Sequence, residues 1–347
     1  MRYNVVFHPS WWHVNEGIDF SEVFGADPDA RIASDIKMRR ALYQRFGKYD
    51  LGEQNPEPRP LMGSDMLACG YLSSQILGCQ VDFAPDDSPE VHCANLDDEA
   101  AFALEFPDFD KNPVWKGIQH QLDYLQNRFG HVESYINFSG VQNLALDLRG
   151  TDLFLDYYDE DSPAAHLLEV SYLTTRELCH RLSAYTSCLS AGVSNIVKSV
   201  LPDVVLHSNC SVEMISEETY TEWLLPFERK FADEFPVYGI HHCGQSMEHV
   251  IHGYTKVPNL CFVEVGAFSD LAAVVVALKP KVLVNARYSP VRLATVPDSE
   301  LRQELADTVR ILPGRRLSIS CVGIDSSVPD ERVRQFCAYC KELLPDS

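Results

Sequence analysis

The sequence has no long uninterrupted hydrophobic run. In its 347 residues, no apolar stretch approaches the roughly 20 residues that a membrane-spanning helix requires. The N-terminal stretch MRYNVVFHPSWW also lacks the apolar core of a secretion signal. We therefore expect a cytoplasmic protein with no membrane partner.

Positive charge is scarce. Lys and Arg number 29 against 50 Asp and Glu, which gives a formal net charge of −21 at pH 7. A surface with this excess of negative charge repels phosphate backbones and anionic lipid headgroups. We therefore expect no nucleic-acid partner. Hydrophobic residues make up 46% of the chain, which is enough for a full core.

A disulfide framework is also missing. The 11 cysteines are odd in number and follow no regular spacing, so we expect most of them to be reduced and packed in the core. Cys337 and Cys340 form a CxxC pair, but no second pair accompanies it, and packing on the last helix is the simpler interpretation. The question is which few cysteines carry chemistry.

No GxGxxG motif follows a predicted strand, which weakens a dinucleotide-binding fold. Instead, short β-rich runs alternate with helical runs from about residue 130, which is typical of βα units around a parallel sheet. The predicted strands are 134–138, 203–207, 237–241, Leu260–Val265, 281–284 and 316–321, with two weaker ones at 61–65 and 80–83. A number close to eight favours a barrel.

Helix signals fit the same pattern. An amphipathic helix is predicted at 35–46, ended by Gly47, and the proline-rich residues 54–60 must form a loop. Four later helices are predicted to start at Ser162-Pro163, Ser216, Asp298 and Pro329. The sequence thus predicts an α/β protein: an N-terminal extension over 1–60, packed on a single catalytic (β/α)8 TIM barrel over 61–347.

Reactive side chains fall at the predicted strand ends, where barrel enzymes place their active sites. His241 and Cys243 stand two residues apart at one strand end, Glu264 lies near another, and Cys321 ends a third. Imidazole, thiolate and carboxylate are zinc ligands, and a remote third ligand is typical of catalytic sites. His-x-Cys alone is a weak signal, because a cysteine at a strand end usually packs.

The segment 142–347 resembles the uroporphyrinogen decarboxylase superfamily, and within it the zinc-dependent, corrinoid-linked methyltransferases, including coenzyme M methyltransferases and O-demethylases. The motif IHHCG around His241 and Cys243, with Cys321 followed by VGIDSSVPDERV, carries the resemblance. Two stretches support it, NLALDLRGTDLFLDYYDE at 143–160 and LPFERK at 225–230. The resemblance implies that His241, Cys243 and Cys321 bind zinc, and that Glu264 completes the coordination sphere and yields to substrate.

The resemblance also implies the reaction. A zinc ion would activate a thiol acceptor, or polarise the heteroatom of a small-molecule methyl donor. The methyl group would pass to or from a corrinoid (cobalamin) supplied by a partner protein. The direction of transfer stays open.

Further residues are candidates for substrate binding. His207 and Asn209 sit at a strand end and are expected to face the site. Arg287 ends another strand and has two interpretations, a contact to a substrate carboxylate or sulfonate and an ordinary salt bridge.

An aromatic cluster near the N-terminus also has two interpretations. His8, Trp11 and Trp12 follow a predicted first strand and form either a plug of the barrel or a wall of the substrate site.

Two other functions are alternatives. A metal-free decarboxylase on the same scaffold is disfavoured, because the N-terminal segment HPSWWHVNEG lacks the arginines that would grip a polyacidic porphyrinogen. The second alternative is a non-catalytic, zinc-binding partner of a corrinoid protein.

Overall fold

The computed structural model describes residues 3–186, 188–189, 196–312 and 317–344, and it shows an α/β protein built on parallel strands. The strands are β1 Tyr3–Phe7, β2 Leu61–Gly63, β3 Val81–Asp82, β4 Glu90–Val91, β5 Glu133–Tyr135, β6 Phe138–Ser139, β7 Val205–Ser208, β8 Tyr238–His242, β9 Leu260–Val265, β10 Leu283–Tyr288 and β11 Leu317–Ile324.

Helices occupy most of the connections between the strands. The first nine are α1 Pro9–Glu16, α2 Phe20–Val23, α3 Pro28–Phe46, α4 Leu72–Ile76, α5 Asp98–Ala103, α6 Pro113–Phe129, α7 Val141–Arg149, α8 Leu153–Asp156 and α9 Ala164–Ser183. The rest are α10 Ile196–Val200, α11 Glu217–Thr219, α12 Leu225–Glu234, α13 Ile251–Tyr254, α14 Leu271–Ala277, α15 Pro290–Thr295, α16 Asp298–Ile311 and α17 Asp330–Leu343. Within the described ranges, no helix combines the length and the apolarity needed to cross a bilayer.

Seven strands form one sheet in the order β1-β11-β10-β9-β8-β7-β6, and every neighbouring pair in it is parallel. A second parallel pair, β2-β5, adjoins it along the chain, since only two residues separate β5 from β6. The predicted α/β architecture with a parallel sheet is confirmed. Among the described residues β1 does not pair with β2, so closure into a complete (β/α)8 barrel stays a prediction.

Several predicted boundaries need correction. The strand predicted at 80–83 is not a barrel strand: β3 pairs antiparallel with β4 in a separate ribbon. The strand predicted at 134–138 divides into β5 and β6, and Arg316 lies outside the described residues. Helix α3 starts well before residue 35, because Asp27 caps it and Pro28 occupies its first turn.

Other predictions agree with the structure. β9 has the predicted bounds, α16 starts at the predicted residue Asp298, and residues 54–60 form a loop. The hydroxyl of Ser216 accepts a hydrogen bond from Thr219 N, as a helix cap should. Beyond it α11 leads into α12 through a π-helical turn, Tyr220–Leu224.

The N-terminal segment is tied into the fold by β1, which pairs with β11, so it contributes a strand to the large sheet. Trp11 and Trp12 are each 1% exposed, and Trp11 stacks on Phe7 with ring centroids 4.1 Å apart. Phe46 stacks on the other side of this cluster, 5.5 Å from Phe7. The division of the chain at residue 60 stays a prediction.

We expect Trp11→Ala to lower the free energy of unfolding by about 3–5 kcal/mol, because it removes a fully buried ring and leaves a cavity. Val14→Ala is the matched control in the same helix, since Val14 is 68% exposed and should cost less than about 0.5 kcal/mol. Urea unfolding measures both. Equal losses in the two variants would contradict the packing described.

Candidate metal centre

The register of the parallel strands brings polar side chains from neighbouring strands into one row. Ser208 in β7 is the partner of His241 in β8, which is the partner of Glu264 in β9. Glu264 in turn pairs with Asn285 in β10. Four side chains therefore stand abreast, and those of Ser208, His241 and Glu264 lie at the carboxyl ends of their strands, where parallel α/β folds place their active sites.

Three potential metal ligands converge at this row. The donor atoms of Cys210, His241 and Cys243 all lie within 4.8 Å of one another. Cys210 begins the short 3-10 turn after β7, His241 belongs to β8, and Cys243 directly follows it. Two adjacent strand ends thus supply one imidazole and two thiols.

Glu264 orients the imidazole. Its Oε2 lies 2.6 Å from His241 Nδ1, and both side chains are buried, at 0% and 1% exposure. Because Nδ1 faces the carboxylate, Nε2 is the ring nitrogen left for the thiols. Burial alone would lower the pKa of His241, but the carboxylate and the thiols raise it well above its ordinary value.

The two thiols are in contact, with Cys243 Sγ 2.7 Å from Cys210 Sγ. This contact, together with the positive charge of His241 and Arg287, lowers the pKa of Cys243 far below that of a free thiol. The same contact raises the pKa of Cys210. The contact thus moves the pKa values of the two thiols in opposite directions.

Arg287 stands on the open side of the cluster. Its Nε lies 3.8 Å from Glu264 Oε1, and its side chain is 13% exposed. It is also among the residues that line a cavity of about 280 Å³, together with Glu304 and Asp307, but none of the three donor residues lines that cavity. The salt-bridge interpretation matches the contact with Glu264, and binding of a substrate anion stays a prediction.

Cys321 lies apart from the three donors. Before it in β11, Ser318 and Ser320 hydrogen-bond to the side chain of Asn285, at 3.0 and 2.9 Å. Since side chains alternate along a strand, Cys321 faces the opposite side of the sheet. Burial raises the pKa of Cys321, while the charge of Arg287 lowers it to a smaller degree. Its role as a zinc ligand stays a prediction that this geometry does not support.

His207 and Asn209 turn towards the helix layer. His207 Nδ1 lies 3.4 Å from Glu228 Oε1 and 3.1 Å from the Tyr238 hydroxyl, and its ring packs on Phe231. Asn209 Nδ2 donates to Glu228 Oε1 at 2.5 Å. Substrate binding by these two residues stays a prediction, because their side chains contact α12.

The aromatic candidates near the N-terminus are placed as a structural cluster. Trp11 and Trp12 are in the core, and His8 caps α1 by accepting a hydrogen bond from Ser10 N at 3.2 Å. His8 Nε2 lies 3.3 Å from Asp87. Of the two interpretations, the plug matches this packing; a substrate-wall role stays a prediction.

Two residues of this region were not predicted. Cys210 had a visible signal, since it follows the end of β7, but the family resemblance implies Cys321 as the second thiol ligand instead. Glu228 had none, because a glutamate in a helix normally faces solvent, whereas this one is 2% exposed.

The residues present fit a zinc ion. Two thiols and an imidazole form a donor set that zinc prefers, and the imidazole already has the carboxylate partner that metal-bound histidines usually have. Ligand atoms around tetrahedral zinc stand roughly 3.3–3.8 Å apart, so the two sulfurs would separate by about 1 Å on binding.

We expect Cys243 in chelator-treated protein to react with iodoacetamide almost as fast at pH 6 as at pH 8, because its pKa lies below this range. An ordinary thiol, with a pKa of about 8.5, slows close to a hundredfold over the same interval. Peptide mass spectrometry measures the rates. Cys210→Ser is the control and should shift the profile towards that of an ordinary thiol; a wild-type rate that falls like a free thiol would contradict the contact.

No model of a known protein family matches this sequence, and no curated protein sequence matches it either. Solved structures do resemble it. A methyltransferase from Methanosarcina mazei superposes with a TM-score of 0.66 at 14% identity, covering 98% of this chain and 94% of the other. A B12-independent methionine synthase from Shewanella sp. W3-18-1, in complex with selenomethionine, superposes with a TM-score of 0.50 at 10% identity, covering 97% and 93%. At these identities the likeness shows that this chain shares their fold over nearly its whole length.

Proposed function

We propose that this protein is a zinc-dependent methyltransferase that moves a methyl group between a small molecule and a corrinoid carried by a partner protein. The observation that carries the proposal is the convergence of Cys210, His241 and Cys243 at two adjacent strand ends. The fold shared with a methyltransferase supports it.

The three side chains would hold the ion as two thiolates and one neutral imidazole, which with Zn²⁺ sum to a charge of about zero. When bound, zinc would supply the Lewis acidity that lowers the pKa of a substrate thiol or polarises a methyl-bearing heteroatom. The exposed position of Cys243 leaves the cluster open to a substrate. This donor set differs from the sequence-based one, in which Cys321 and Glu264 are ligands.

The surrounding residues have distinct tasks in this proposal. Glu264 holds the imidazole of His241 with Nε2 towards the thiols, which orients a ligand instead of supplying one. Arg287 stands beside the cluster and the cavity, where it would contact an anionic group of the substrate. The substrate would thus bind with its reacting atom at the thiols and its charged group at Arg287.

Zinc content tests the ligand set. We expect wild type to bind about one zinc ion per chain, and Cys210→Ser or Cys243→Ser to bind less than about a tenth as much under the same dialysis, because each removes a thiolate. Cys321→Ser is the matched control and should keep its zinc. Plasma mass spectrometry measures the metal, and circular dichroism checks folding.

The opposite pattern of zinc content among the three cysteine variants would identify a different ligand set. If Cys321→Ser loses zinc while Cys210→Ser keeps it, the ligand set predicted from the sequence is right and the present one is wrong.

Activity tests the reaction. We expect zinc-loaded protein to catalyse methyl transfer either from methylcobalamin to a small thiol or from a small methyl donor to cob(I)alamin, followed by cobalamin absorbance. Cys243→Ser should lose at least about a hundredfold of the rate, because the ligand set is broken. A zinc-loaded enzyme that is silent in both directions across a substrate panel, or a metal-free one that is fully active, would contradict the proposal.

A further inference from the structure

A buried carboxylate lies directly behind the metal centre. Glu228 belongs to α12, on the side of β7 and β8 that faces the helices, and it is 2% exposed. A charged side chain at this depth is costly unless several hydrogen bonds stabilise it. The residues that hydrogen-bond to Glu228 therefore indicate its role.

Three side chains from the two ligand-bearing strands surround it. Asn209 Nδ2 donates to Oε1 at 2.5 Å, the Tyr238 hydroxyl donates to Oε2, and His207 Nδ1 lies 3.4 Å from Oε1. Burial alone would raise the pKa of Glu228, but these three partners lower it below the ordinary value. The carboxylate is thus held ionised by residues just before and just after the end of β7 and at the start of β8.

One of these contacts leads to a proposed metal ligand. Asn209 immediately precedes Cys210, and its backbone N–H donates to His241 O at 2.7 Å. The side chain of Asn209 is therefore held by Glu228 while its main chain is held by the strand that carries His241. Cys210 continues from this doubly fixed residue into the 3-10 turn Cys210–Met214.

The residue after Cys210 is held by α7, since Gln142 Nε2 donates to Ser211 O at 2.9 Å and Ser211 N donates to Asn143 Oδ1 at 3.0 Å. The contact between Asn209 and Glu228 restrains the residue before it. On the other ligand-bearing strand, His242, between His241 and Cys243, binds the Tyr254 hydroxyl at 2.8 Å. Buried hydrogen bonds from the helix layer thus restrain a residue next to the ligands on both strands, Asn209 on one and His242 on the other.

We infer that Glu228 is a positioning residue that sets the place of Cys210, through Asn209, and thereby the affinity of the centre for its metal. The inference rests on the proposed zinc site and adds a residue that contacts no ligand atom. On this inference, the buried carboxylate of Glu228 serves to hold the thiolate of Cys210 in place.

The test is the zinc affinity of purified full-length protein, measured by competition with a chromophoric chelator. We expect Glu228→Gln to weaken zinc binding roughly ten- to a hundredfold, the range found for partners of metal ligands. Glu222→Gln is the matched control, since it removes the same charge from an exposed position in the preceding turn, and should leave the affinity unchanged.

Cobalt substitution shows whether the thiolate itself moves. Glu228→Gln should reduce the thiolate-to-cobalt charge-transfer band relative to wild type, while Glu222→Gln should not. A variant that unfolds more easily but keeps the wild-type affinity and spectrum would show that Glu228 only stabilises the fold, and would overturn the inference.

A double-variant cycle tests the route through Asn209. If Glu228 acts through Asn209, the double variant Glu228→Gln with Asn209→Ala should bind zinc about as tightly as the single variant that has the lower zinc affinity. If the double variant loses zinc affinity by the product of the two single losses, the route through Asn209 is wrong. Wild type that binds no zinc would overturn the proposed function together with this inference, whereas tight wild-type binding with an unaffected Glu228→Gln overturns this inference alone.

Discussion

The candidate centre depends on the register between β8 and β9, which sets His241 against Glu264. The 2.6 Å contact between them is fully buried, so neither side chain can turn away without leaving an unpaired polar group in the interior. This fixes one ring nitrogen against the carboxylate and leaves the other for the thiols. A shift of the β8 register by one residue would turn His241 to the helix face, since alternate side chains along a strand face opposite sides. The imidazole would then lie away from the thiols of Cys210 and Cys243.

The remainder of the site is arranged around that pair from two directions. From the face of the sheet opposite the helices that carry Glu228 and Tyr254, Arg287 brings positive charge next to Glu264 and Cys243. From the helix side, Glu228 and Tyr254 hold the residues adjacent to the ligands. The side chains that bear chemistry are thus few, while a larger set of buried polar groups keeps them in place. This is the arrangement expected where a metal must bind in one geometry and still admit a substrate.

Much of this was predictable from the sequence, because local patterns are strong where strands and helices are regular. The run LCFVEV predicted the bounds of β9, Asp298 predicted the start of α16, and strand-end placement singled out His241 and Cys243. Residue spacing could not show which face of β11 carries Cys321, since that depends on the side-chain alternation that the Ser318 and Ser320 contacts reveal. Nor could it show that the carboxylate of Glu228 is buried, because the partners of that group come from two other elements.

The central claim is that Cys210, His241 and Cys243 bind one metal ion. Anomalous diffraction from a crystal of the zinc-loaded protein, collected on both sides of the zinc edge, tests it most directly. The account predicts a single peak about 2.0–2.4 Å from His241 Nε2 and from both sulfurs, with Glu264 still bound to Nδ1. A peak coordinated by Cys321 in place of Cys210, or no zinc peak at this row of strand ends, would contradict it.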